Sequence, residues 1–230
     1  MTIQMRVSEL ASMVDHTLLK ADAQKAGFEK LCHEADEYEF KMVAINSAPV
    51  ALCKELLKDS PVHVGATIGF PLGQTSIAVK VFEVKDAIEN GADEIDYVVN
   101  IRELKDGNLD YIEQEMTEIV TVCREHGILS KVILENCCLT NEEKTAVCQI
   151  AKKVRPDFVK TSTGFGTSGA TVEDVKLMKD IVGSDVKVKA AGGIRDFAAT
   201  KAMIEAGADR IGTSAGIQIV EEYKTMNKES

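Results

Sequence analysis

"DFVKTSTGFG" occupies residues 157–166. Phe158 and Val159 read as a buried strand, and Gly164 and Gly166 as the loop that follows it. Lys160 stands between them, inside the element. An unpaired ammonium is costly to bury, and such a group usually shifts its pKa and becomes neutral. Alternation places Phe158, Lys160 and Ser162 on one face of the run, and Val159 and Thr161 on the other. In a barrel one of those faces is the interior, and catalytic groups sit at the C-terminal strand ends.

Seven further β-rich runs have the same character: SMVDHTLL (12–19), KMVAIN (41–46), HVGATIGF (63–70), EIDYVVNI (94–101), KVILEN (131–136), VKVKAAGG (186–193) and RIGTSAG (210–216). Helical periodicity fills the intervals. Leu109, Ile112, Met116, Ile119, Val120 and Cys123 recur at steps of three and four, as do Val147, Ile150, Ala151 and Val154. Thr140 to Glu143 form a capping-box pattern, and Thr171 and Asp196 stand at N-cap positions. NGADEID (90–96) and AGADRIG (206–212) echo one another, each closing a helix on glycine before entering a strand. Eight such units in roughly 200–250 residues predict a single (β/α)8 TIM barrel as one domain over 1–230. The polar end from about residue 221, EEYKTMNKES, is expected to be loosely ordered. A doubly wound open sheet is the competing architecture, but GxGxxG after its first strand is missing.

A hydrophobic fraction of 45% supplies a full core, and a formal charge of −10 makes a nucleic-acid partner unexpected. MTIQMRVSEL (1–10) lacks the apolar stretch of a secretory signal, and no run approaches a membrane span. Cys32, Cys53, Cys123, Cys137, Cys138 and Cys148 show neither CxxC nor zinc spacing. They read as reduced thiols of a cytoplasmic protein, with Cys137 and Cys138 on opposite faces if their chain is extended. No metal site is expected.

The same alternation sorts the other strands. Ile95, Tyr97, Val99 and Ile101 form an apolar face, leaving Glu94, Asp96, Val98 and Asn100 inward. Val186, Val188 and Ala190 form another, leaving Lys187 and Lys189 inward, with Lys187 at the solvated strand start. Asp96, Lys160 and Lys189 therefore point into one interior. A lone Asp–Lys pair is also the mark of a structural ion pair, but two lysines on one aspartate leave an ammonium unpaired. Two ammonium groups ~6 Å apart at an effective dielectric of ~20 repel by about 2.8 kcal/mol, roughly two pKa units. Desolvation adds to that, and a neutral amine beside a second cation suits a Schiff-base nucleophile. Glycine-rich turns follow the late strands at Thr163-Gly164-Phe165-Gly166, Gly192-Gly193 and Gly212 to Gly216, where this fold commonly holds phosphate.

VKTSTGFG around Lys160, VKAAGGIR around Lys189 and GADEIDYVVNI around Asp96 together resemble the class I deoxyribose-phosphate aldolases, from DHTLL (15–19) to GTSAG (212–216). The resemblance implies a (β/α)8 barrel with no cofactor and no metal. It implies reversible cleavage of 2-deoxy-D-ribose 5-phosphate to acetaldehyde and D-glyceraldehyde 3-phosphate, in deoxyribonucleoside catabolism. Lys160 would form the Schiff base, while Lys189 and Asp96 would exchange protons and Lys189 would tune Lys160. Thr163, Gly164, Gly166, Gly192, Gly193 and Ser214 would contact substrate or its phosphate, and Asp15 and Thr17 would lie near its hydroxyls. The partners implied are small aldehydes and phosphosugars, with a second copy in a homodimer as a further expectation.

The chain departs from the family at several positions. Phe165 stands where some members carry lysine, Asn136 where threonine is usual, Ala215 where others have a second serine, and Ala44 where some have cysteine. The tail ends in serine where some members end in tyrosine. These departures bear on phosphate affinity and rate. A transaldolase-like Schiff-base enzyme and a non-catalytic phosphosugar-binding barrel remain open on the residues alone.

Overall fold

The computed structural model describes residues 5–228. Strands and helices alternate throughout. α1 (Val7–Ala11) leads into β1 (Val14–Leu18) and α2 (Lys25–Glu37), followed by β2 (Met42–Asn46), α3 (Val50–Leu56), β3 (His63–Ile68) and α4 (Ile77–Glu89). β4 (Glu94–Val98) is followed by α5 (Ile101–Lys105) and α6 (Leu109–Glu125), and β5 (Leu129–Ile133) by α7 (Asn141–Val154). β6 (Phe158–Lys160) precedes α8 (Val172–Val182), β7 (Lys187–Ala191) precedes α9 (Phe197–Glu205), and β8 (Arg210–Thr213) precedes α10 (Gly216–Lys228). The strands pair in parallel in chain order, and β8 pairs with β1, so the sheet closes into a (β/α)8 barrel. The open-sheet alternative is thereby removed.

The core lies between barrel and helices. Val43, Ile45, Val64, Ala66, Ile95, Tyr97, Val132, Val159, Val188 and Ile211 face outward from the strands and pack with helix residues such as Ile112, Met116, Ile119 and Val175. Burying one such aliphatic side chain contributes about 1.5–3 kcal/mol. Caps set where the helices begin. Thr140 and Glu143 form the capping box of α7, and Thr171 and Asp196 cap α8 and α9 through their side chains. Leu109 departs from the expected apolar stripe of α6, being largely exposed at the helix start.

The sequence echo is a structural one. Asp93 accepts the Val64 N–H at 2.9 Å through Oδ2 and pairs with Lys54 at 2.7 Å through Oδ1. Asp209 Oδ2 accepts the Val188 N–H at 2.9 Å and pairs with Lys179 at 3.0 Å. Each aspartate thus stitches the entrance of its own strand to the preceding one, at β4 and at β8.

Three expectations are revised. β6 and β8 are shorter than expected, ending at Lys160 and Thr213, although the Thr161 N–H still donates to the Lys189 carbonyl at 3.1 Å. After β5, Glu135 takes a left-handed conformation (φ 57°) and Asn136–Cys138 form a 3-10 turn. Cys137 and Cys138 therefore do not splay apart, and their Sγ atoms lie 4.0 Å from each other. The polar end is helical as far as Lys228, because Tyr223 anchors it: its ring packs on Phe197 at 4.7 Å and its hydroxyl donates to the Met5 carbonyl at 2.6 Å. Residues 1–4 of the N-terminal stretch and 229–230 of the tail lie outside the described residues.

Candidate active site

Register brings the charged residues of separate strands to neighbouring levels. Lys160 pairs laterally with Lys189, Lys189 with Arg210, and Asp96 with Lys131. Their side chains meet inside the barrel. Asp96 Oδ2 accepts from Lys160 Nζ at 2.8 Å and from Lys189 Nζ at 2.7 Å. Asp96 Oδ1 accepts from Lys131 Nζ at 2.7 Å. Lys189 Nζ also lies 2.5 Å from Asp15 Oδ2, and Arg210 Nε donates to Asp15 Oδ1 at 2.8 Å. Lys131 pairs with Glu94, and Arg210 reaches Glu94 Oε2 at 3.4 Å. All seven residues are buried, Lys160 being 3% exposed.

Charge counting singles out Lys160. Among the described residues the cluster holds four cations (Lys131, Lys160, Lys189, Arg210) and three carboxylates (Asp15, Glu94, Asp96). Lys131, Lys189 and Arg210 each bridge two carboxylates, whereas Lys160 contacts Asp96 alone. Burial lowers its pKa to about 8, and repulsion from Lys189 and Lys131 works in the same direction against the pull of Asp96. The order of causes differs from the sequence expectation, which gave Lys189 the leading part. For Asp96, burial opposes ionisation, but Lys131, Lys160 and Lys189 override it and hold the carboxyl well below its ordinary range. A permanently ionised carboxylate thus sits beside an amine that is partly neutral near physiological pH. Such an amine can attack a carbonyl carbon.

Lys160 opens onto a cleft of about 390 Å³ at the C-terminal mouth of the barrel. Thr17, Thr163, Gly164, Phe165, Gly192, Gly193 and Ser214 line it, together with Lys20 and Arg195. Gly164 (φ 90°) and Gly193 (φ 77°) adopt backbone that L side chains rarely take, and a Cβ on either would meet nothing within 4 Å. Backbone strain therefore requires glycine at both positions, which leaves their peptide groups accessible to a ligand. Glu135 shapes the wall from behind, accepting from the Thr163 hydroxyl and, at 3.2 Å, from the Thr163 N–H.

The family model for DeoC/LacD family aldolase matches residues 10–222. The chain belongs to the DeoC/LacD aldolase family. It is 56% identical over 223 residues to the deoxyribose-phosphate aldolase of Lactobacillus acidophilus, covering 97% of this chain and 94% of that one. It is 55% identical over 222 residues to that of Bacteroides thetaiotaomicron, covering 96% and 93%. The tetrameric deoxyribose phosphate aldolase of Aeropyrum pernix superposes with a TM-score of 0.89 at 30% identity, over 96% of this chain and 93% of that one. An aldolase designated QR15 superposes equally well, at 0.89 and 38% identity, over 96% and 98%.

Within this DeoC/LacD barrel, two residues expected near the substrate stand back from the cleft. Asp15 is fully buried beneath Lys189 and Arg210. Gly166 packs toward Glu135 and Cys137. Asn136 is turned inward, its Nδ2 3.3 Å from Met178 Sδ. Reasoning from the sequence missed Lys131, Arg210 and the role of Glu94, although alternation in KVILEN and RIGTSAG could have placed the two cations. It also missed Lys20 and Arg195, whose presence in the cleft comes from loops that no periodicity orients.

Proposed function

We propose that this aldolase reversibly cleaves 2-deoxy-D-ribose 5-phosphate to acetaldehyde and D-glyceraldehyde 3-phosphate through a Schiff base on Lys160. The observation that carries the reading is Asp96 Oδ2, shared by Lys160 at 2.8 Å and Lys189 at 2.7 Å beneath the cleft. Neutral Lys160 attacks C1 of the open-chain sugar, and loss of water yields an iminium. The C3 hydroxyl gives up its proton, the C2–C3 bond breaks, and its electron pair is drawn into the iminium as an enamine. Protonation at C2 and hydrolysis then release acetaldehyde and restore the amine. Asp96 and Lys189 exchange the protons, and Asp96 offsets the charge of the iminium. The iminium is itself the electron sink, so the chemistry calls for neither metal nor cofactor.

The phosphate lies against the backbone of Gly164, Gly192, Gly193 and Ser214, flanked by Arg195 and Lys20 in place of the cation that Phe165 removes. Thr163 and Thr17 border the sugar, with Asp15 and Gly166 supporting from behind. The 1–230 chain works as one catalytic domain in the cytoplasm, consistent with six free thiols. No helix among the described residues is long and apolar enough to cross a membrane. A homodimer is the proposed assembly, supported by the exposed apolar side chains of Leu72, Val79 and Phe82, and sedimentation would measure it. Incubation with acetaldehyde and borohydride, followed by peptide mapping, tests the assignment. One ethyl group on Lys160, together with turnover of deoxyribose 5-phosphate, is the expected result; an adduct on Lys189 or Lys187 would reassign the roles.

A further inference from the structure

Beneath Asp96 the barrel holds a second tier of charge that the proposed reaction does not touch. Glu94 on β4 is fully buried and faces polar side chains from three other strands. Lys131 from β5 contacts Oε2, His63 from β3 places Nδ1 2.7 Å from Oε1, and Arg210 from β8 lies 3.4 Å from Oε2. Asp15 on β1 joins through Arg210, and Lys41 stands behind His63 with Nζ 3.2 Å from Nε2. Met42 on β2 closes over Lys131, its Sδ 3.6 Å from Nζ. The Phe158 ring of β6 floors the tier, with Lys131 at 5.8 Å and Arg210 and Lys187 at 5.6 Å. A continuous line of polar contacts therefore runs from Lys160 through Asp96, Lys131 and Glu94 to His63, which is 31% exposed at the barrel's other end.

We propose that Glu94 is a positioning residue: by holding Lys131 from below, it settles how three lysines divide Asp96 and thereby sets the proton affinity of Lys160. The inference rests on the reading of Lys160 as the nucleophile. Asp96 offers two oxygens to three ammonium groups. Anchored by Glu94, Lys131 takes Oδ1, which leaves Oδ2 to Lys160 and Lys189. Removing the Glu94 charge leaves the cluster more positive. Lys160, the cation with one carboxylate partner, is then the group that most readily sheds its proton. Removing the Lys131 charge has the opposite effect. For charges on the order of 10 Å apart at an effective dielectric of ~20, each change moves Lys160 by about one pH unit.

The test is the pH profile of borohydride trapping with acetaldehyde, read on the intact protein for the parent and for Glu94→Gln, Lys131→Met and the double variant. Glu94→Gln shifts the profile to lower pH by about one unit, so trapping at pH 7 quickens up to about tenfold. Lys131→Met shifts it to higher pH by a similar amount, and the double variant returns toward the parent. Glu94→Asp restores the parent profile. A merely structural Glu94 would lower the yield of folded protein or raise KM without shifts of opposite sign. Shifts in the same direction, or no shift in either single variant, overturn the proposal. Should Glu94→Gln fail to fold, the sign of the Lys131→Met shift and its cancellation in the double variant decide. A parent that forms no Lys160 adduct overturns the reading of the site as well, so the two failures are distinguishable.

Discussion

At the scale of the residue, Lys160 is an amine whose environment works against its charge, and three variants separate the causes. Lys160→Ala is expected to abolish both borohydride trapping and aldol cleavage. Lys189→Leu removes a neighbouring cation and frees Asp96 for Lys160, so the trapping profile moves to higher pH by about one to two units. Asp96→Asn removes the attractive carboxylate: trapping persists and moves to lower pH, while turnover falls by about 10²–10⁴ through lost proton transfer. In the parent, trapping rises with pH and levels off above about 8. The same depression has a stability consequence. The folded protein binds this proton less tightly than the unfolded chain, so the penalty is present below about pH 8 and fades as pH rises toward ~10.4. Lys160→Met leaves three cations on three carboxylates. It should gain about 1–3 kcal/mol in denaturant unfolding at pH 6.5, a gain that shrinks at pH 9.5.

At the scale of the element, the aspartates at the entrances of β4 and β8 do the same work at two places in the barrel. Each accepts a strand N–H and pairs with a lysine from a surrounding helix. Asp93→Ala and Asp209→Ala should each cost about 1–3 kcal/mol, because a half-buried backbone donor loses its acceptor. They share no partner, so the double variant should be additive within about 0.5 kcal/mol in chemical denaturation. These elements were legible in the sequence to different degrees. Capping at Thr140, Thr171 and Asp196 and the outward Ile95 and Tyr97 of β4 follow from local side-chain chemistry, and the structure has them as read. The strand expected to run on to Ile101 ends at Val98, and Asn100, expected inward, instead caps α5, which Ile101 begins. The turn after β5 was not legible: the left-handed Glu135 is held by Thr163, which arrives from the loop after β6.

At the scale of the whole molecule, the C-terminal helix belongs to the folded body. Tyr223 is buried against Phe197 and tied to Met5. Ending the chain after Val220 should cost more than about 3 kcal/mol in thermal or denaturant unfolding, the scale of deleting a buried aromatic. Tyr223→Phe should cost about 1 kcal/mol, the worth of its hydrogen bond. Composition hides this anchor, since one aromatic among charged residues reads as a tail until the surface it meets is known.

By itself the sequence determined the closed βα architecture, the family and the direction in which Asp96, Lys160 and Lys189 point. The architecture and the directions follow from the period of two along a strand and the period of 3.6 along a helix, whereas the family rests on the motifs around those three residues. The tertiary structure decided who pairs with whom. That Lys131, Arg210, Asp15 and Glu94 complete the interior charge depends on register across six strands, and Lys20 and Arg195 reach the cleft through loops that tertiary packing orients. The proton affinity of Lys160 belongs to the same class of property, because burial, its leading cause, exists only once the barrel has closed.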